Sequence, residues 1–308
     1  MSGYRHEALL YAGHDEFMAG VLGFIEGAVE ADEPILVVLD SSKIADLQGA
    51  LSTRGDRVQF ADMAAVGKNP ARIIPAWQRF VAEHGGPGVR LRGIGEPIWA
   101  GRSAPALAEC HRHEALLYLA FDDPDFWLLC PYDTESLPTA VIDEAARNHP
   151  FVAAGVGASA SATFAGVDTF ARPLSEPLGA VPARAWMSSF GRDDLRRVRD
   201  VVAEFARAQC ALPEGAADLA LAVHEVAVNA LVHGDSGGTI ALWRDGQSLI
   251  AEVGSAGAIR DDALFDRTIP LAGKADGRGL WMANQLCDLV QVRSFPGEVV
   301  VRLYLDVD

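Results

Sequence analysis

Over its first 150 residues the chain alternates nearly continuous apolar runs with segments whose apolar residues recur at helical spacing. The runs fall at 8–11, 35–40, 58–62, 89–94 and 126–131, and unbroken apolarity of that length predicts strands covered on both faces. Between the first two, Phe17, Val21, Phe24, Ile25 and Ala28 line one face of a helix. Further helical patterns run over 69–83, 104–120 and 137–148. Strand–helix alternation predicts an α/β domain with a mainly parallel sheet and right-handed crossovers. The hexapeptide HEALLY occurs twice, at His6–Tyr11 inside a predicted strand and at His113–Tyr118 inside a predicted helix. No longer repeat surrounds either copy, so it does not mark an internal duplication.

Periodicity fades over 152–184, where VAAGVGASASATFAG is followed by Pro173, Pro177 and Pro182. This stretch is expected to be a linker, with a strand near Thr163 and Phe164 as the alternative. The expected organisation is a first domain over 1–155, a linker over 156–185 and a second domain over 186–308. In the second domain Leu195, Val198, Val202, Phe205 and Ala206 predict a helix from about Asp193, and another runs over 214–232. Strands follow at 239–243 and 249–253, joined by the turn Asp245–Gly246. A glycine-containing loop, a short helix after Gly279 and closing strands at 290–294 and 299–305 complete the pattern. Helices on one face of an antiparallel sheet make an α+β sandwich.

Composition narrows the function classes. Of 308 residues, 50% are hydrophobic and 22% charged, enough apolar material for two cores. Acidic residues outnumber basic ones 42 to 26, a net charge of −16, which disfavours nucleic acid and anionic membranes as partners. No apolar run approaches the roughly 20 residues needed to span a bilayer, and the first residues lack a signal pattern. Cys110, Cys130, Cys210 and Cys287 are widely spaced without CxxC, which reads as reduced, cytoplasmic usage.

The most informative segment is LALAVHEVAVNALVHG, residues 219–234. Glu225, Asn229 and His233 are four residues apart and form one polar stripe on an apolar helix, with His224 beside it. Buried unpaired polar groups cost about 1–3 kcal/mol each, so such a stripe needs a ligand or solvent. Downstream, GRGLWMANQLCD places Gly277 and Gly279 before an apolar helix, where backbone can approach phosphate closely.

Together these motifs resemble the N-box and glycine loop of the GHKL (Bergerat-type) ATPases, in the branch of anti-sigma-factor serine kinases. The resemblance covers about 120 residues. It implies that Asn229 holds Mg²⁺ bridging the triphosphate of ATP, that Glu225 is the catalytic base, and that His233 flanks the phosphates. It also assigns Ser255, Gly257, Gly277, Arg278, Gly279 and Leu280 to the nucleotide pocket. The chain departs from the family at the adenine end. Ser255 in EVGSAGAI stands where the family has an aspartate, and Val299 and Val300 stand near the usual threonine. The activity so implied is an ATP-dependent protein serine/threonine kinase with an eroded adenine pocket, or a domain acting by binding alone. The implied partners are a sigma factor or a STAS-type anti-anti-sigma protein, and a homodimer is compatible with the reading.

The first domain lacks GxxxxGK[ST]. It is similar to the MEDS sensory domain at HEALLY with His6 and Tyr11, at Gly95, Glu96 and Trp99, at Glu114, at LLCPYD with Cys130, Tyr132 and Asp133, and at His149. The resemblance implies a small-molecule ligand held among His6, Tyr11, Glu96, Trp99, Glu114, Cys130, Tyr132, Asp133 and His149. Glu109, Cys110, His113 and Glu114 also share a predicted helix as candidate metal ligands, against the alternative of a solvated face. Two rival functions remain open: a sensor histidine kinase, which normally needs a separate phosphoacceptor hairpin, and a DNA-binding regulator, which the charge opposes.

Overall fold

The computed structural model describes residues 3–121, 124–154, 157–166, 176–209, 212–233, 237–257, 266–268 and 278–307. The chain forms two compact units, Met1–Phe170 and Ala171–Asp308.

In the first unit β1 (Arg5–Tyr11), α1 (Gly13–Glu30), β2 (Ile35–Leu39), α2 (Ser41–Leu51), β3 (Val58–Asp62) and α3 (Met63–Val66) are followed by α4 (Ile73–His84) and β4 (Leu91–Gly95). Then come α5 (Ala104–Ala120), β5 (Phe126–Asp133), α6 (Thr139–Asn148), β6 (Phe151–Ala154) and β7 (Ala158–Ala160). The sheet order is β3-β2-β4-β5-β1-β6-β7, parallel throughout except for the antiparallel β6–β7 pair. The apolar runs predicted as strands all enter this sheet. The helix α2 carried no periodic signal because only Leu47 and Leu51 of its eleven residues are buried. Its start is set instead by Asp40, whose side chain accepts hydrogen bonds from the backbone N–H groups of Ser42 and Lys43. The two HEALLY copies adopt the different structures expected, β1 and the middle of α5.

Side-chain alternation along the strands sorts the interior. Leu9 and Tyr11 of β1 join Phe17, Val21 and Ile25 of α1 and Leu47 of α2 in one core layer. His6 and Ala8 therefore face the opposite layer, as do Leu128, Cys130 and Tyr132 of β5, against α5 and α6.

The second unit contains β8 (Trp186–Phe190), α7 (Leu195–Ala208), α8 (Pro213–His233), β9 (Gly238–Asp245), β10 (Ser248–Ala256), α9 (Arg278–Leu286), β11 (Leu289–Phe295) and β12 (Glu298–Asp306). Its sheet runs β11-β12-β10-β9-β8 and every pairing is antiparallel. The edge strand β8 escaped the sequence pattern because only Phe190 of its five residues is buried. One apolar core joins the helices to one sheet face: Val198 and Val202 of α7, Leu219, Val223 and Val226 of α8, Ala283 of α9, and Ile240, Ala251, Val253 and Val301 of the sheet. The helix α8 has 21 residues and an 18-residue window of mean hydropathy 1.4, long and apolar enough to cross a membrane by length and composition. Here that apolarity is spent on the core, where Ala216, Leu219, Ala220, Ala222, Val223 and Val226 are buried.

The stretch expected as a linker is shared between the units. Ala158–Ala160 pairs with β6. Farther on, the carbonyls of Glu176 and Gly179 accept hydrogen bonds from Arg293 Nε (2.9 Å) and Arg302 Nη2 (2.6 Å) on the sheet of the second unit.

Candidate functional site

In the second unit the polar stripe lies at the junction of α8, α9 and the end of β10. Glu225 and Asn229 are half-buried and His233 is exposed. Gly279, in the first turn of α9, packs directly on Asn229: a Cβ there would lie 2.7 Å from Asn229 Nδ2 and 3.3 Å from its Cγ and Oδ1. Absence of a side chain is what lets the helix start approach the amide. Gly257 has φ +138°, and a Cβ on it would lie 3.2 Å from the backbone oxygen of His233. Its N–H donates to Gly297 O at 3.2 Å. The end of α8, the end of β10 and the β11–β12 turn thus meet at one rim. Arg278 opens α9 and is exposed, while Leu280 packs on the core. Gly277 lies outside the described residues.

At the adenine end expected from sequence, Ser255 pairs with Val299 on one side and Gly238 on the other. Alternation puts Ser255 on the face of Ala251 and Val253, toward the helices, and Val299 packs on the same core. Val300 pairs with Gly254 one step away and faces the other side, so only Val299 shares the Ser255 side. Neither strand neighbour of Ser255 brings a polar side chain. Asn229, Gly279, His233 and Gly257 are therefore brought together at the rim, and the strand end at Ser255 offers one hydroxyl. His224 was not assigned a role in the sequence; its Nδ1 is buried and has no hydrogen-bond partner among the described residues.

In the first unit the predicted ligand residues separate into two groups. His6, Glu114, Cys130 and His149 converge in the layer between β1, β5 and α5, and none is more than 2% exposed. His6 Nε2 lies 3.1 Å from Glu114 Oε2 and 3.3 Å from Cys130 Sγ. Glu114 Oε2 is also 3.5 Å from His149 Nε2 and 3.7 Å from Cys130 Sγ. Aromatic rings enclose the group: Tyr4 stacks on His6 at 5.8 Å, Tyr118 meets His6 edge-on, and Tyr132 meets His149 edge-on at 5.6 Å. Burial lowers the imidazoles of His6 and His149 to about 3 and raises the Glu114 carboxyl and the Cys130 thiol. The His6 and Glu114 shifts both favour neutral groups at the short His6–Glu114 contact, because a buried charge of either sign would lack solvation.

The second group sits at the carboxyl edge of the sheet, where open α/β sheets place ligands. Tyr11, at the end of β1, donates to Glu96 Oε1 at 2.7 Å, just past β4. Lys43, in the first turn of α2, donates to Glu96 Oε1 (2.7 Å), Glu96 Oε2 (2.6 Å) and the Tyr11 hydroxyl (2.8 Å). Burial raises the Glu96 carboxyl, and Lys43 pulls it partly back. Lys43 was missed in the sequence; the signal available was a cation directly after a capped strand end. Trp99 is exposed and carries the Arg102 guanidinium 4.1 Å above its ring. Asp133 accepts from Glu135 N and Ser136 Oγ and closes the turn after β5. Neither joins a group above. The helix-borne metal set is corrected as well: only Glu114 enters the His6 cluster, whereas Glu109 lies 3.6 Å from Arg112 Nη1 and Cys110 Sγ donates to Pro97 O.

Comparison with known proteins follows the same division. Residues 5–150 match the model of the methanogen/methylotroph, DcmR sensory domain, and residues 191–305 match that of the histidine kinase-like ATPase domain. No curated protein matches the chain. Among solved structures, a chain of the SiaB–SiaC complex from Pseudomonas aeruginosa is similar at 15% identity and a TM-score of 0.32, over 40% of this chain and 90% of that one. The chain thus carries an MEDS sensory domain followed by a GHKL-like ATPase domain, which makes it a signalling protein.

Proposed function

We propose that the protein is a cytoplasmic anti-sigma-type regulator in which the MEDS domain senses a small molecule and the GHKL domain acts on a sigma factor or a STAS-type anti-anti-sigma partner. The observation that carries the catalytic part is the packing of Gly279 at the start of α9 against the Asn229 amide, with Glu225 one helical turn away on the same stripe. A helix start offers unpaired N–H groups to phosphate. Asn229 would hold Mg²⁺ through its amide oxygen, and Arg278 adds a cation at the rim. When bound, Mg-ATP supplies the transferable γ-phosphoryl group. Glu225 then orients the serine or threonine hydroxyl of the partner and takes its proton, the role a half-buried carboxylate can fill within hydrogen-bond reach.

One observation supports a binding-only alternative. Ser255, flanked by Val299 and Gly238, offers adenine a single short hydroxyl, and losing two polar contacts weakens affinity by roughly 2–5 kcal/mol. A domain that cannot hold nucleotide would act on its partner by surface complementarity, its availability set by sensor occupancy.

For the sensor, the ligand site favoured is the Tyr11–Lys43–Glu96 group. It combines a donor, a cation and an acceptor at the sheet edge, suited to a small polar molecule. Calorimetric titration of the full chain with Mg-ATP, repeated on Asn229→Ala, tests the kinase reading. Saturable heat abolished by the substitution supports it. No heat at millimolar nucleotide, or heat unchanged in the variant, overturns it.

A further inference from the structure

We infer that His6, Glu114, Cys130 and His149 form a buried tetrahedral site for a divalent transition metal, with Zn²⁺ as the best fit. Four separations among the donor atoms run 3.1, 3.3, 3.5 and 3.7 Å, and all four atoms lie within 4.8 Å of one another. A tetrahedral Zn²⁺ with bonds of about 2.0–2.3 Å holds adjacent ligands roughly 3.3–3.6 Å apart. Four of the six separations are therefore already close to those of a coordination shell, and rotamer shifts would bring the donors onto a common ion.

Donor chemistry agrees with the spacing. Two imidazoles, one thiolate and one carboxylate are a mixed N, S and O set that suits borderline-soft Zn²⁺ and is foreign to Mg²⁺ or Ca²⁺. One thiolate and one carboxylate also balance a dication, so the loaded site is neutral inside the core. On binding, the Cys130 thiol and the Glu114 carboxyl each release a proton to solvent as their metal bonds form.

Independent observations point to a missing cation. His149 Nδ1 lies 2.8 Å from Ala145 O. A carbonyl only accepts, so Nδ1 carries the hydrogen and the Nε2 lone pair faces the cluster, the orientation that second-shell carbonyls impose on metal-bound histidine. Among the described residues His149 Nε2 and Glu114 Oε1 are buried without a hydrogen-bond partner, an arrangement that is expensive unless something else satisfies them. Four segments distant in sequence supply the donors, β1, α5, β5 and the end of α6, and His6 and Glu114 come from the two copies of HEALLY, one as strand and one as helix. With every donor buried, the site is closed, and loading accompanies folding.

The test uses the full chain, purified metal-free and titrated with Co²⁺ and then Zn²⁺. The expected result is one Co²⁺ per chain with tetrahedral d–d absorption and a thiolate-to-metal charge-transfer band, both displaced by Zn²⁺. Cys130→Ser should abolish the charge-transfer band, and His149→Gln should weaken Co²⁺ affinity by more than roughly 100-fold, since loss of a second-shell partner alone costs 10–100-fold. Cys110→Ser, at a thiol that donates to Pro97 O outside the cluster, should leave both signals unchanged. Circular dichroism of each variant separates loss of metal from loss of fold. A folded wild-type chain that takes up no Co²⁺, or a charge-transfer band that survives in Cys130→Ser, would overturn the assignment and leave the cluster as a neutral hydrogen-bond network.

Discussion

The two units handle polar groups on apolar elements in opposite ways. In the first, His6, Glu114, Cys130 and His149 are sealed in the core and satisfy one another incompletely. In the second, Glu225 and Asn229 sit half-buried and His233 exposed at an open rim. A sealed cluster is held at the expense of folding and suits something that stays. An open stripe is solvated when empty and suits a ligand that exchanges. That division fits the metal centre proposed in the first unit and the exchangeable ligand proposed in the second.

The sharpest way to break the comparison is to delete one residue of each kind. His149→Ala removes a ring packed 3.8 Å from His6 and edge-on to Tyr132, and takes one of three polar neighbours from Glu114. It should destabilise the full chain by about 2–5 kcal/mol in urea unfolding. Asn229→Ala should cost about 0.5–1 kcal/mol, its effect appearing in nucleotide binding. Equal losses would erase the distinction between sealed and open sites. Next in size, Ser255→Asp restores a charged acceptor on the helix side of β10. A charge-assisted hydrogen bond of about 1.5–3 kcal/mol predicts roughly 10–100-fold tighter Mg-ATP binding by calorimetry.

A third prediction sharpens the contrast within the sensor. Burial holds the Glu96 carboxyl above its ordinary value and Lys43 opposes this. A carboxyl raised in the fold contributes stability below its unfolded value of about 4.3, and that contribution is lost as pH rises through the folded value. Lys43→Met removes the opposing cation and widens the gap. The variant should lose roughly 1–3 kcal/mol at neutral pH and distinctly less near pH 5, measured by urea midpoints. A loss independent of pH would mean that Lys43 acts through packing alone. The smallest effect is expected for Gly279→Ala. The added Cβ meets the far end of the Asn229 side chain at 2.7 Å, which can swing aside. Stability should change little while Mg-ATP affinity falls about tenfold, near 1.4 kcal/mol.

Parts of this contrast were legible in the sequence, and the reasons are particular. The stripe on α8 was visible because four-residue spacing survives any tertiary setting, and Gly279 because its motif stands at a fixed distance beyond. The members of the His6 cluster were visible, but not their separation from Tyr11 and Glu96. Strand alternation already held that clue: His6 and Tyr11 are five residues apart on one strand and must face opposite layers, just as Cys130 and Tyr132 part from Asp133. The metal candidates read from α5 alone failed because helical neighbourhood cannot reveal which side chains other elements will meet; of the four, Glu114 joins His6, Cys130 and His149. The HEALLY pair shows the same limit from the other side, since one hexapeptide becomes β1 or α5 according to what packs on it. Lys43 stayed hidden because α2 buries only two residues.

The proposed asymmetry of the nucleotide site, with phosphate features in place and the base contact reduced, is tested most directly by competing Mg-tripolyphosphate against Mg-ATP on the wild-type chain and on Ser255→Asp. The account predicts that tripolyphosphate binds the wild type within about tenfold of ATP, and that the substitution tightens ATP while leaving tripolyphosphate unchanged. ATP binding strongly with no response to tripolyphosphate would contradict it, as would equal gains for both ligands in the variant.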